Sequence, residues 1–325
     1  MKCSASAIQR SCAAVAAAAV LASCRGGNGQ RAAVAPSSTA SSVTSTTSTT
    51  TATTTSSPHD GNPHYAVGTT VVDLVDNKRG RTLHTIIHFP AKAGNEPAAG
   101  SFPLVLMAHG FRLPAGGYER TLGTVTAAGY IVAAPAFPHT SAERDGNRSD
   151  IVNQPADLSF VADAVIDLAT HQPGRVPPVA DPNRVAALGH SDGGITVLAW
   201  GYDDAYRDRR VAAVVSMAGA IAFFRGTYFA ADSPPLLVMH ATGDQTNPYS
   251  ASVNVFNRVP PGIPHYMVTI AGGSHLGPYM YDTALPEVGQ VIVDFLDAYF
   301  LGQAGARQRL VSDGDRPGVT TIRSG

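Results

Sequence analysis

Six continuous apolar runs constrain this chain most: residues 104–108, 130–134, 185–188, 211–217, 236–240 and 266–270. A strand with one wet face alternates apolar and polar residues, whereas a strand covered on both faces is apolar throughout. Helix-length segments lie between the runs. In the clearest of them, Leu158, Val161, Val165 and Leu168 recur at spacings of three and four, as do Val288, Val291, Ile292, Phe295, Leu296 and Tyr299. The alternation predicts one α/β domain over residues 62–302 with a mainly parallel sheet and helices on both faces. Two further segments, 66–75 and 81–89, read as an antiparallel pair across a turn at 76–80. The polar, glycine-containing residues 303–325 read as a loosely held tail.

The run at 185–188 leads directly into Gly189-His190-Ser191-Asp192-Gly193, and a helical stretch follows at 195–200. Strand, sharp turn and helix are the context in which a G-x-S-x-G pentapeptide lifts a serine hydroxyl out of the fold as a nucleophile. Gly189 and Gly193 are expected there because strand and helix cross too closely for a Cβ. Such a hydroxyl needs a base and donors for the oxyanion. His275, in Gly272-Gly273-Ser274-His275, follows the last apolar run and supplies the base. Asp244, after the run at 236–240, orients it, which gives the chain order Ser, Asp, His. Asp232 and Asp282 are worse placed and read as surface or capping residues. The oxyanion donors are expected to be the N–H of Asp192 and the N–H of Phe111 in His109-Gly110-Phe111, with Gly110 and Arg112 within a one-residue shift. His109, His190 and His240 flank strands and read as makers of structural hydrogen bonds. Residues around 137–152 and 221–228 are expected to line the acyl pocket.

The segments around Ser191, Asp244 and His275, with Arg79-Gly80-Arg81, His109-Gly110 and Ala127-Ala128-Gly129-Tyr130, resemble a branch of the α/β-hydrolase superfamily. That branch holds the dienelactone hydrolases and the platelet-activating-factor acetylhydrolase-like enzymes. Cutinase-like polyester hydrolases and chlorophyllases share parts of the pattern. The resemblance covers roughly residues 65–300. It implies an eight-stranded sheet, no cofactor and no metal, and hydrolysis of short- to medium-chain acyl esters through an acyl-enzyme on Ser191, with Asp244 and His275 completing the triad. Dienelactone hydrolases typically carry cysteine where this chain has Ser191, and polyester hydrolases usually carry methionine where it has Asp192.

Before the domain, Lys2 and Arg10 precede a short apolar run at 12–22, too short to span a bilayer, which reads as a signal peptide over 1–23. Leu21-Ala22-Ser23-Cys24 resembles a bacterial lipoprotein signal, which implies a lipid on Cys24 and attachment to the outer face of the cell membrane. Residues 24–61 collapse to Ser, Thr, Ala and Gly and read as a disordered tether. The only other cysteines, Cys3 and Cys12, would leave with the signal, so no disulfide is expected in the mature chain.

A formal net charge of −1 and the absence of any basic run exclude a nucleic-acid partner and leave a small-molecule or lipid ester. Three competing readings use the same residues differently. An acyltransferase would share the triad and prefer an alcohol to water, a peptidase would favour amides, and a surface-binding lipoprotein would have no reactive serine.

Overall fold

The computed structural model describes residues 64–142 and 146–325. The signal peptide, Cys24 and the tether expected at 1–61 lie outside them. Nine strands form one sheet: β1 Ala66–Asp76, β2 Arg81–Ala91, β3 Leu104–Ala108, β4 Ile131–Ala136, β5 Val185–His190, β6 Val211–Met217, β7 Leu236–Ala241, β8 His265–Ile270 and β9 Thr320–Ser324. Their order is β1-β2-β4-β3-β5-β6-β7-β8-β9. From β4 to β8 every neighbouring pair is parallel, while β1, β2 and β9 join antiparallel at the two ends. This is the mainly parallel α/β-hydrolase arrangement.

The central strands are apolar throughout because each serves two cores. Leu104, Leu106 and Ala108 of β3 enter one core, with Val161, Val165 and Trp200; Val105 and Met107 enter the other, with Leu122, Val288 and Phe295. Helices α2 (Gln154–His171), α3 (Asp192–Tyr202) and α4 (Tyr249–Arg258) contribute to the first core. Helices α1 (Glu119–Ala127), α5 (Gly277–Met280) and α6 (Leu285–Tyr299) contribute to the second. Period two in the strands and periods three and four in the helices therefore meet on opposite faces of one sheet.

Two expectations need correction. The sheet has nine strands, not eight, and the segment 303–325 is folded: it forms α7 (Ala306–Gly314) and then β9, which pairs with β8 from Tyr266↔Ser324 to Ile270↔Thr320. Ala306 and Leu310 are fully buried. Arg309 donates through Nε to Asp294 Oδ1 at 3.1 Å and through Nη2 to Asp297 Oδ2 at 2.9 Å, both on α6. With so few apolar residues the segment shows no period of its own, and it is held by a sheet edge and an ion-pair cluster that a local pattern does not display.

The β1–β2 hairpin is tied down by charge. Arg81 donates to Asp150 Oδ1 and Oδ2 at 2.8 and 2.7 Å, and to Asp157 Oδ1 and Oδ2 at 2.7 and 2.6 Å. Asp150 lies in the 3-10 turn Arg148–Asn153, two residues beyond Arg148, which reaches the site described next.

Candidate active site

Ser191 sits at the turn between β5 and α3, with φ 57° and ψ −120°. A non-glycine residue is strained there, and a hydrogen bond from its N–H to the Met217 carbonyl at 2.9 Å holds the backbone in place. The flanking glycines are steric necessities. A Cβ at Gly189 would lie 2.2 Å from the Gly193 carbonyl oxygen, and one at Gly193 would lie 2.0 Å from the Ala108 carbonyl oxygen on β3.

The structure brings Asp244 and His275 to this serine. His275 Nε2 lies 2.9 Å from Ser191 Oγ, and its Nδ1 lies 2.6 Å from Asp244 Oδ2. Asp244 Oδ1 accepts from the N–H groups of Thr246 and Asn247 at 2.8 and 2.9 Å. Burial pushes the Asp244 carboxyl up, but the hydrogen bonds from His275 and from those two N–H groups outweigh it, so the group lies below its ordinary value and is ionised. An ionised carboxylate only accepts, which puts the proton of neutral His275 on Nδ1 and leaves the Nε2 lone pair facing the serine hydroxyl.

Beside the serine runs the loop after β3. His109 Nε2 accepts from the Phe137 N–H at 3.0 Å, and its Nδ1–H donates to the Gly110 carbonyl at 2.8 Å. A Cβ on Gly110 would lie 3.1 Å from Ser191 Cβ, so the loop and Ser191 are in contact. The Gly110 N–H is taken by Tyr118 Oη at 3.1 Å, and the Arg112 N–H by the Thr140 carbonyl at 2.7 Å. Among the described residues the Phe111 N–H has no such acceptor. The Asp192 N–H opens α3, where first-turn N–H groups lack helical partners.

Two features at this site are not predicted by motif. Arg148 forks onto Asp192: Nε donates to Oδ2 at 2.7 Å and Nη2 pairs with Oδ1. Its guanidinium also lies 5.8 Å from the Phe111 ring and 4.9 Å from the Phe223 ring. Arg148 and Phe223 come from the two segments expected around the acyl pocket, and what brings them together is not encoded in local pattern. The second feature is the pair of histidines beside Asp244 and His275. Fully buried His190 joins Tyr118 to the His275 loop, and fully buried His240 contacts Asp244. Both do make hydrogen bonds, with partners from 4 to 85 residues away. Asp232 pairs with Arg207 and Arg209, and Asp282 accepts from the Ala284 N–H, so neither joins the site. Among the described residues no group of three or more His, Cys, Asp or Glu side chains is disposed to hold a metal ion.

No curated protein matches the chain. A family model, that of the Chlorophyllase family, matches residues 63–225. The match takes in the loop after β3, Arg148, Ser191 and Asp192, and it ends before Asp244 and His275, whose proximity to the serine is a matter of geometry alone. With a sheet of the α/β-hydrolase kind and half its length matched, the chain belongs to the Chlorophyllase family, an α/β-hydrolase-like family of ester hydrolases.

Proposed function

We propose that the protein is a serine esterase that hydrolyses short- to medium-chain carboxylic esters through an acyl-enzyme on Ser191. The observation that carries this is the unbroken path from Asp244 Oδ2 through His275 to Ser191 Oγ, at 2.6 and 2.9 Å. In the proposed reaction His275 Nε2 takes the proton of Ser191 as Oγ attacks the ester carbonyl. The developing oxyanion is held by the N–H groups of Asp192 and Phe111. The engagement of the Gly110 and Arg112 N–H groups elsewhere supports this frame of the loop over its neighbours. The tetrahedral adduct collapses, His275 gives its proton to the leaving alkoxide, and water repeats the sequence to release the acid and free Ser191.

Turnover of p-nitrophenyl acetate and butyrate by wild-type and Ser191→Ala protein tests the reading, with an expected loss of at least about 10³-fold. Undiminished turnover in the variant overturns it. A panel of esters of increasing acyl length, with chlorophyll as the bulky member that the family name suggests, reports the acyl preference. Product analysis with added alcohols separates hydrolysis from acyl transfer.

Export, with a lipid on Cys24 holding the domain at the outer face of the membrane, is part of the proposal. It is supported by Leu21-Ala22-Ser23-Cys24 after the short apolar run. Expression of the Cys24→Ala chain checks it: the variant is expected to leave the membrane fraction, and retention there argues against the anchor.

A further inference from the structure

Asp244 faces a second imidazole. His240, at the end of β7 and fully buried, places Nε2 3.0 Å from Asp244 Oδ2, the same oxygen that His275 Nδ1 approaches at 2.6 Å. On its other side His240 Nδ1 lies 2.7 Å from Ser252 Oγ on α4, and Ser252 Oγ lies 3.0 Å from the Gly219 carbonyl. We infer that His240 is a positioning residue for the proposed reaction: a neutral imidazole whose tautomer is fixed by Ser252 and whose Nε2–H shares Asp244 Oδ2 with His275.

The protons can be counted. An ionised Asp244 has none to give, so a bare Nε2 at 3.0 Å would set lone pair against lone pair; Nε2 therefore carries hydrogen. Ser252 has one hydroxyl proton and two neighbours that can accept it. If the proton went to Gly219 alone, His240 Nδ1 would have to be protonated too, and a charged imidazolium would be enclosed. Burial opposes that charge and, despite the nearby Asp244 carboxylate, leaves His240 below its ordinary value. The Ser252 proton is accordingly shared between Nδ1, at 2.7 Å, and the Gly219 carbonyl, at 3.0 Å. The groups that face His240 are Asp244 and the Asn247 backbone from the loop after β7, His275 from the loop after β8, and Ser252 and Tyr249 from α4, with the Tyr249 ring 5.7 Å away. The His190 ring lies tilted at 45° against His275, with centroids 4.7 Å apart, and at 46° against Tyr279, 5.0 Å apart.

With both donors in place Oδ2 accepts twice, as Oδ1 does from Thr246 and Asn247, and the carboxylate plane is fixed by all four bonds. Sharing also limits how strongly Asp244 holds the proton that His275 gains during the reaction. Without the second donor Oδ2 binds His275 alone, the protonated imidazole is favoured, and the neutral base appears only at higher pH.

This inference rests on the esterase reading for its consequence but not for its first test. In the full chain labelled with ¹⁵N-histidine, with His240 assigned from the spectrum of the His240→Gln protein, Nε2 of His240 is expected protonated and Nδ1 bare near neutral pH. A protonated Nδ1 overturns the inference whether or not the protein cleaves esters. The second test is the pH profile of p-nitrophenyl acetate turnover. His240→Met, which has no donor, is expected to move the acid limb of kcat/KM upward by roughly half a unit to one unit. It is also expected to lower kcat about tenfold with KM little changed. His240→Gln, whose side-chain amide can still donate to Oδ2, is expected to keep the acid limb where it is. An unmoved limb in His240→Met shows a packing role only and overturns the inference while leaving Ser191 as nucleophile. A wild-type protein that cleaves no ester defeats the esterase reading and leaves the spectrum to decide.

Discussion

The carbonyl oxygen of His275 accepts a hydrogen bond from the Nε2–H of His190 at 2.8 Å. Because that nitrogen must donate, His190 Nδ1 is bare and accepts from the Tyr118 hydroxyl at 2.8 Å, while Tyr118 Oη accepts from the Gly110 N–H. One buried relay thus joins the loop after β3, the turn that holds Ser191 and the loop that carries His275. Three loops are held in register by side chains that are themselves fully buried.

Tyr118→Phe cuts this relay at its middle, leaving the Gly110 N–H and His190 Nδ1 buried without partners. The expected cost is about 1–3 kcal/mol of stability per orphaned group at most. With the loops freed to shift, ester turnover is expected to fall by roughly tenfold to a hundredfold. Urea unfolding and steady-state kinetics check both, and a variant with wild-type values in each would show that the relay fixes nothing.

Buried histidines also set how stability depends on pH. Burial, helped by the neighbouring His275, pushes His190 down to about 3 from its ordinary 6.5, and burial lowers His88 as well. Between those values the unfolded chain binds protons that the folded chain refuses, so the stability present above about pH 6.5 is lost as pH falls. Each such histidine contributes at most about 1.4 kcal/mol per pH unit. Asp294 acts in the opposite sense: burial and its neighbour Asp313 raise it, so it favours the folded state at lower pH. His88 offers a clean test, since it lies on β2 and its Nε2 has no partner among the described residues. His88→Leu is expected to flatten the fall in stability between pH 7 and pH 5, measured by urea midpoints. An unchanged slope would remove His88 from this account.

Much of this arrangement is legible in the sequence, for identifiable reasons. β3, β5, β6 and β7 show as apolar runs because two cores demand apolar residues on both faces. Ser191 shows because its turn admits only glycine at positions 189 and 193, and Asp244 and His275 show because strand ends come in chain order. Arg148, Tyr118, His190 and His240 do not show in the same way. Each acts through partners distant in sequence or on another element, and a histidine that contacts Asp244 or the His275 loop has no local mark to distinguish it from one that fills space. β9 is hidden for a similar reason, since its partner is the edge of a sheet that exists only once β8 is in place.

Arg148 predicts an asymmetry between two substitutions. Asp192 is 3% exposed and Arg148 is 50% exposed, so removing the arginine strands a buried carboxylate beside Ser191, whereas removing the carboxylate leaves a cation that can turn to water. Arg148→Ala is expected to destabilise by about 1–3 kcal/mol, with Asp192→Asn costing less. The half-exposed arginine keeps both figures modest. A double-mutant cycle on unfolding free energies measures the coupling. Equal costs for the two single variants would show that burial of Asp192 is not what the pair compensates.

The most costly single break is expected at Arg81. Its guanidinium is 9% exposed and forks onto Asp150, 7% exposed, and onto Asp157, which is fully buried. Arg79 adds a bond from Nη1 to Asp157 Oδ1 at 2.7 Å. A buried ion pair adds little over a well-packed apolar cluster, but one stripped of its partner costs about 3–5 kcal/mol. Arg81→Met is therefore expected to destabilise strongly, and further replacement of Asp157 by Leu to recover part of that loss, because one of the two buried carboxylates that Arg81 held goes with it. The break also bears on the site, since Asp150 anchors the 3-10 turn that begins at Arg148, and Arg148 holds Asp192 next to Ser191. Turnover in Arg81→Met, measured well below its unfolding temperature, is accordingly expected to fall more than in His88→Leu at matched stability. Equal activities would mean that the turn keeps its place without Arg81, and that the network serves the hairpin alone.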